Sequence, residues 1–454
     1  DQPRSAYSDR EGQQQMSPRL TRSAVPRLAV VLHGQLAGYV YAAANRRLTF
    51  RYEPSWQALP GAHALSLSMP LAADEHGHRA TTAWLWGLLP DNPEVTAQWG
   101  RAFGVPRHDV VRLLEAVGGD CAGAVQLVAP DALDALRGAP TQADERTHIE
   151  WLTTGQVGKL LGALRRNPAA GRSSETQGQF SLAGAQPKTA LYQSDAGKWG
   201  VPRGRVPSNR ILKPPVLPLD DLAWNEHACL HLARAVELAA CSTSVQTFGK
   251  EVAIVVERYD RVRVGGVLRR VHQEDCCQAL AIMPTQKYET DGGPSLTDLA
   301  ALLSRHSQAP DEDVFRLLEA QLFNWFIGGT DAHAKNFALL LGAEGQVRLA
   351  PLYDVISALP YPAMRTRGLR LAMAVHGETA CDRITGAHWR AVARKVGASP
   401  TRLVERAAEM AIALPGAVEQ LQQTASRSAK VSTAFARLLP PIRRHAAACL
   451  AQLT

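Results

Sequence analysis

The chain has 454 residues, enough for two or three domains around a large core, and its 46% hydrophobic and 20% charged content is an ordinary globular balance. No apolar run reaches the roughly 18–20 residues that span a bilayer and no charged-then-apolar leader opens the chain, so a soluble cytoplasmic protein with no membrane partner is expected. Net charge is +8, from 50 basic and 42 acidic residues; this suits a nucleic-acid-associated assembly but does not demand one, since there is no zinc-finger spacing and no dense basic block.

Residues 1–25 are polar and read as disordered or as a non-native leader, with a natural start at Met16. From Pro26 the pattern turns β-like. "RLAVVLHGQLAGYVY" reads as two strands about the turn His33-Gly34-Gln35, and "RLTFRYE" as a third. Helical patterns follow near "TTAWLWGLLP" and "RHDVVRLLEAVG", and "GAVQLVAP" looks like another strand. Residues 165–179, "RRNPAAGRSSETQGQ", form the best linker candidate. Strand-like pieces then run through Tyr259, and from about Ser295 the chain is mainly helical with one hairpin inside. The seven cysteines, odd in number and without a CxxC pair, read as reduced thiols packed as small apolar residues.

Several short segments carry chemistry. In "FSLAGAQPKTALY", strand-like residues flank Ala183-Gly184-Ala185-Gln186, small groups that let backbone N–H approach phosphate, though an ordinary turn would look the same. Lys213 ends the apolar strand of "SNRILKPP"; it is either a functional cation or an edge charge. "LDDLAWNEHACLHLARAVEL" reads as a helix capped by Asp220 or Asp221, with Glu226 in its early turns able to pair with Lys213 or to face water. "EVAIVVERYDR" is a β-branched strand running into Glu257-Arg258-Tyr259, where a hinge backbone could bond adenine.

"FALLL" and "QVRLA" flank Gly342-Ala343-Glu344-Gly345, a connection suited to a hairpin that brings Asn336 and Asp354 together. The run Asp331-Ala-His-Ala-Lys-Asn336 has the D-x-x-x-x-N spacing of a kinase base and metal ligand, and hard oxygen donors suit Mg²⁺. Asp331 and Asn336 equally fit a turn cap. His333 is a metal ligand or a supporting residue, and Lys335 steadies phosphate or faces water. Each signal is weak alone; their order along the chain is what phosphoryl transfer from ATP requires.

Together "FSLAGAQPKTAL", "VERYDR", "HQEDCCQAL", "TQKYETDGGPSL", "IGGTDAHAKNFALLL" and "LAPLYDVISALP" resemble the HipA family of bacterial serine/threonine-protein kinase toxins, and "HALSLSMPL" and "WLWGLLPDNPE" resemble its N-terminal subdomain. The likeness covers roughly residues 27 to 450. It implies an α+β, bilobal protein-kinase-like fold with an N-terminal β-rich subdomain (26–164), a small-lobe-like region with phosphate loop and hinge (180–290) and a mainly helical C-terminal lobe (291–454). It also implies roles. Asp331 accepts the substrate proton, and Asn336 and Asp354 hold Mg²⁺. Ala183, Gly184, Ala185, Gln186, Pro187 and Lys188 form the phosphate loop, and Lys213 contacts phosphates. Glu257, Arg258 and Tyr259 hold adenine, while His333, Ala334, Lys335, Asn336 and Tyr353 line the nucleotide. Ser181 matches the serine whose autophosphorylation expels the loop. The implied partners are ATP, a HipB-like helix-turn-helix antitoxin dimer with its operator DNA, and a protein substrate; family targets include aminoacyl-tRNA synthetases. The absence of GxGxxG, of HRD ahead of Asp331 and of Phe-Gly after Asp354 argues against a eukaryotic-type kinase. A small-molecule or lipid kinase would use the same Asp/Asn/Asp set, and a pseudokinase co-repressor would keep the fold without the reaction.

Overall fold

A computed structural model describes residues 25–170, 180–216, 219, 221–366, 368–425 and 429–453; residues 1–24, most of the expected linker and Asp220 lie outside them. The first apolar run folds as β1 (Pro26–Leu32) and β2 (Gln35–Ala42). His33 and Gly34 both take positive φ, 51° and 78°, as a two-residue hairpin connection requires. β3 (Leu48–Tyr52), β4 (Glu75–His76) and β5 (Val125–Val128) complete an antiparallel sheet in the order β4-β3-β2-β1-β5. Leu28, Val30 and Leu32 face one core while Ala29 and Val31 face Leu133 and Leu136, so β1 is buried on both faces and reads as a continuous apolar run. Helices α1 (Pro54–Gln57), α2 (His78–Gly87), α3 (Pro93–Phe103) and α4 (Val110–Val117) pack beside it. Asn92 caps α3 by accepting the Glu94 N–H, and Pro93 stands at its first position.

The next elements are α5 (Gln142–Thr147), β6 (Ile149–Leu152), α6 (Thr154–Arg166), β7 (Thr189–Gln193), β8 (Trp199–Pro202), β9 (Arg210–Lys213), α7 (Leu222–Ala235), β10 (Thr243–Phe248) and β11 (Glu251–Glu257). The strands form one sheet in the order β10-β11-β9-β7-β8-β6. This moves the expected boundary. β6 pairs with β8 and α6 packs Val157 and Leu161 on Leu212, Phe248 and Val255, so residues 149–166 belong to the small-lobe sheet. Arg165 and Arg166, expected at the linker's start, close α6. On the opposite face Ala223 of α7 meets Ile254 and Val256. Asp221 stands at the N-cap of α7 but its side chain does not cap; it pairs with Arg437. Phe180, read as strand, lies outside the named strands and makes an isolated bridge to Asp120.

The hairpin of β12 (Arg261–Val264) and β13 (Val267–Arg270) leads to β14 (His272–Asp275), α8 (Cys276–Ala279), α9 (Leu296–His306) and α10 (Pro310–Ile327). β15 (Ala338–Leu341) and β16 (Val347–Leu349) form the expected hairpin, and β14 extends it to three strands. A second hairpin, β17 (Arg370–Val375) with β18 (Glu378–Ala380), was not anticipated. α11 (Gly386–Lys395), α12 (Pro400–Ala425) and α13 (Ala429–Leu453) finish the lobe. Leu317, Trp325, Met410 and Leu439 belong to one core there. All seven cysteines are buried thiols outside any disulfide. No helix among the described residues is long and apolar enough to cross a membrane.

The N-terminal unit is keyed into the rest. Gln278 Nε2 donates to the Trp84 carbonyl at 3.0 Å, and the Leu67 N–H donates to Glu274 at 2.7 Å. Asp120 receives Arg261 at 2.9 Å and Arg270 at 3.1 Å. Burial alone would raise the Asp120 carboxyl, but the three guanidiniums of Arg261, Arg270 and Arg258 hold it well below the carboxylate range.

Candidate active site

Two glycines open the site at the end of α10. Gly328 takes φ 63° as its left-handed stop, and a Cβ on Gly329 would lie 2.4 Å from Asn324 Oδ1. The chain then turns through Asp331 into the β15–β16 hairpin, whose pairing of Leu339 with Leu349 brings its open ends together. Asn336 Nδ2 donates to the Asp354 carbonyl at 3.2 Å. Asn324, Asp331, Asn336 and Asp354 line one small cavity walled by Phe337, Leu352, Tyr353 and Val355. Its free space is about 10 Å³, room for one water or a bare cation and not for a nucleotide.

Asp354 sits at φ 56°, a left-handed conformation uncommon outside glycine and often found where function holds it. Its Oδ1 meets Lys213 Nζ at 2.9 Å, and the same ammonium meets Glu226 Oε1 at 2.7 Å. One cation therefore serves two carboxylates. Burial would raise Asp354, but Lys213 and Lys188 outweigh it and hold the acid well below its usual range. Burial pushes Glu226 upward against the pull of Lys213. For Lys213 the two carboxylates overcome burial and raise it.

The phosphate-loop candidate lies beside this triad. Gly184 has φ 104°, and a Cβ there would stand 2.4 Å from Lys188 Nζ. Lys188 donates to the Ala183 carbonyl at 2.5 Å, and burial with the neighbouring Lys213 pushes its ammonium down to about 8. Gln186 reaches the Pro214 carbonyl at 3.5 Å, Ala185 is exposed and Pro187 is buried. The N-terminal unit holds the loop: the Asp91 N–H donates to the Gly184 carbonyl at 3.3 Å and Ser181 Oγ to the Leu88 carbonyl at 2.7 Å. Ser181 is 0% exposed, so in this docked position its hydroxyl meets only protein and faces no solvent.

Asp331 accepts the Tyr288 hydroxyl at 2.7 Å; burial raises its carboxyl despite that bond. His333 is buried with its ring edge against Tyr288 at 4.8 Å, and burial together with Lys287 pushes it down to about 4. Its Nδ1 has no partner among the described residues. Tyr353 donates to the Lys335 carbonyl at 2.6 Å, and its ring lies 5.9 Å from that of Tyr259.

Three residues expected to line the nucleotide are engaged with protein groups. Lys335 does not face water: its ammonium is buried 3.0 Å from Asp275 and 3.6 Å from Asp91. Ala334 is carried inward by the 3₁₀ turn Ala334–Asn336 and is wholly buried in the helical core. The Arg258 guanidinium grips Asp260 at 2.8 Å and 2.9 Å inside the ionic cluster. The N–H groups of Glu257 and Arg258 are already given to the Ser242 and Asn209 carbonyls. Of the hinge trio, Tyr259 is half-buried with its hydroxyl on Gln273, and the exposed Glu257 side chain lies 3.6 Å from Arg210. The sequence reading missed Tyr288 and Asn324. Asn324 was detectable as a polar residue within the apolar "QLFNWFI", whereas Tyr288 lay within the family-like segment "TQKYETDGGPSL" with no role of its own assigned.

Comparison with known proteins bears on the family and the fold. A family model of the HipA-like C-terminal domain matches residues 180–418, and one of the HipA N-terminal domain matches residues 28–128. The chain is 33% identical over 368 residues to Y4mE of Sinorhizobium fredii, covering 80% of this chain and 84% of that protein. It is 27% identical over 427 residues to the serine/threonine-protein kinase toxin HipA of Shewanella oneidensis, covering 89% and 90%. The solved complex of Shewanella oneidensis MR-1 HipA with HipB and operator DNA contains a chain of the same fold, with a TM-score of 0.76 at 24% identity over 94% of this chain and 96% of that one. By its sequence matches and its fold, the chain belongs to the HipA family.

Proposed function

We propose that this chain is an ATP-dependent serine/threonine-protein kinase toxin of a toxin–antitoxin module, acting in the cytoplasm. One observation carries the reading: Asp331, Asn336 and Asp354 line a single cavity, with Lys213 beside it bridging Asp354 and Glu226. Asp331 takes the proton of the attacking hydroxyl; its raised carboxyl is a better base than an ordinary aspartate. Asn336 and Asp354 supply hard oxygens to a space of cation size and would hold Mg²⁺, which when bound neutralises phosphate charge. Lys213 and the loop from Ala183 to Lys188 orient the phosphates. Tyr353, Tyr259 and the Glu257 end of β11 form the adenine side, and the unsatisfied Nδ1 of His333 is a group a bound nucleotide could satisfy.

Ser181 is the proposed autophosphorylation site. Its burial supports a switch, because a phosphate of charge near −1.5 to −2 has no room beside Leu88 and would keep the loop out. The Shewanella relative was solved with HipB and operator DNA; for this chain we propose a helix-turn-helix antitoxin of that kind, with co-repression on operator DNA. A protein substrate such as an aminoacyl-tRNA synthetase completes the reading. Incubation with radiolabelled ATP and Mg²⁺ tests it. Label on protein serine or threonine is expected; label confined to a small molecule, or none, overturns it.

A further inference from the structure

Tyr288 lies on a loop that no role above uses, yet its hydroxyl is on the base. The loop is fixed on every side. Lys287 Nζ pairs with the buried Asp91 at 2.8 Å, and Glu289 Oε2 accepts the Ala374 N–H at 2.6 Å. The Tyr288 carbonyl accepts two N–H groups, from Asp291 at 3.0 Å and Gly293 at 2.9 Å. A Cβ on Gly293 would lie 2.0 Å from the Gln286 carbonyl, so the loop is closed on itself at a point only glycine allows. The Tyr288 ring is held edge-on to His333 at 4.8 Å. Such a residue is not a swinging gate.

A hydroxyl delivered to Oδ1 of Asp331 by so rigid a loop fixes the carboxylate plane and commits one oxygen. The other oxygen is then the one left for an incoming hydroxyl. We propose that Tyr288 is a positioning residue for Asp331, holding Oδ1 so that Oδ2 receives the substrate proton. The competing arrangement is that the tyrosine occupies the substrate's own place and must be displaced. The pinned backbone and the ring packing favour the first.

This rests on Asp331 being the base, and the experiment separates the two. Self-phosphorylation is followed against ATP concentration, with Mg²⁺, for the full chain and for Tyr288→Phe and Asp331→Asn. Phenylalanine keeps the ring and its packing. Loss of one hydrogen bond to a charged acceptor should lower the maximal rate about tenfold, while the half-saturating ATP concentration stays within about twofold. A parental or raised maximal rate in Tyr288→Phe, with Asp331→Asn inactive, overturns the positioning role and leaves the base intact. Activity in Asp331→Asn removes the base and the inference together. A purely structural role would lower the thermal midpoint and impair ATP saturation along with the rate.

Discussion

Lys213 shows how much one side chain can carry. It is buried between Glu226 and Asp354, and removing it would leave two carboxylates without their cation. Lys213→Met should therefore cost about 3 kcal/mol or more of unfolding free energy by denaturant titration, and about 10²-fold in phosphate transfer. Glu226→Gln should do less damage, because Asp354 keeps its partner. Equal losses in the two variants would show that the bridge is not what matters. The Lys213–Glu226 pair was legible before the fold was known, as a strand lysine followed by a helix glutamate, but the contact of Lys213 with Asp354 was not anticipated. Lys335 was not legible in the same way. A lysine between Asp331 and Asn336 looks catalytic, but its partners Asp91 and Asp275 are distant in sequence and no spacing announces them.

The proposed phosphate loop is the element on whose conformation the proposed reaction depends most. Ser181 Oγ is held by the Leu88 carbonyl and its N–H by the Asp120 carbonyl, so the loop is docked against the N-terminal unit. Ser181→Ala loses one hydrogen bond, about 1 kcal/mol, and should keep ATP binding. Ser181→Asp places a charge in a fully buried pocket and should drive the loop out. The rise in thermal midpoint on adding ATP and Mg²⁺ should persist in the first variant and vanish in the second. An undiminished shift in Ser181→Asp would separate the docked loop from nucleotide binding. Hairpin elements were readable from local turn chemistry, as at His33-Gly34 and Gly342 to Gly345. β6 was not: a four-residue strand ahead of the linker candidate gives no hint that it crosses to β8, because register between distant strands leaves no local pattern.

At the scale of the molecule, the seam between the N-terminal unit and the helical lobe holds a buried carboxyl. Glu274 is 1% exposed, and burial pushes it up to about 8, with the Leu67 N–H and Ser66 opposing and Asp275 adding to the rise. The folded state keeps this group protonated to about pH 8, whereas the unfolded chain releases the proton near 4.5. Its contribution is complete below the lower value and fades as pH climbs to the upper one, by up to about 1.4 kcal/mol per pH unit. Glu274→Gln should flatten the thermal midpoint between those limits; an unchanged slope would assign the pH response elsewhere. Neither this seam nor the Asp120 cluster could be read from the chain, since Asp120 meets Arg258, Arg261 and Arg270 across long stretches of sequence.

The most direct measurement compares the parent with Asp331→Asn, scoring phosphate transfer and growth arrest alongside association with the antitoxin and operator DNA. Transfer should fall about 10²–10⁴-fold and arrest should disappear while both associations persist. Growth arrest by the substituted chain equal to the parent's would contradict the claim that Asp331, Asn336 and Asp354 form a phosphoryl-transfer centre whose chemistry is the toxic act.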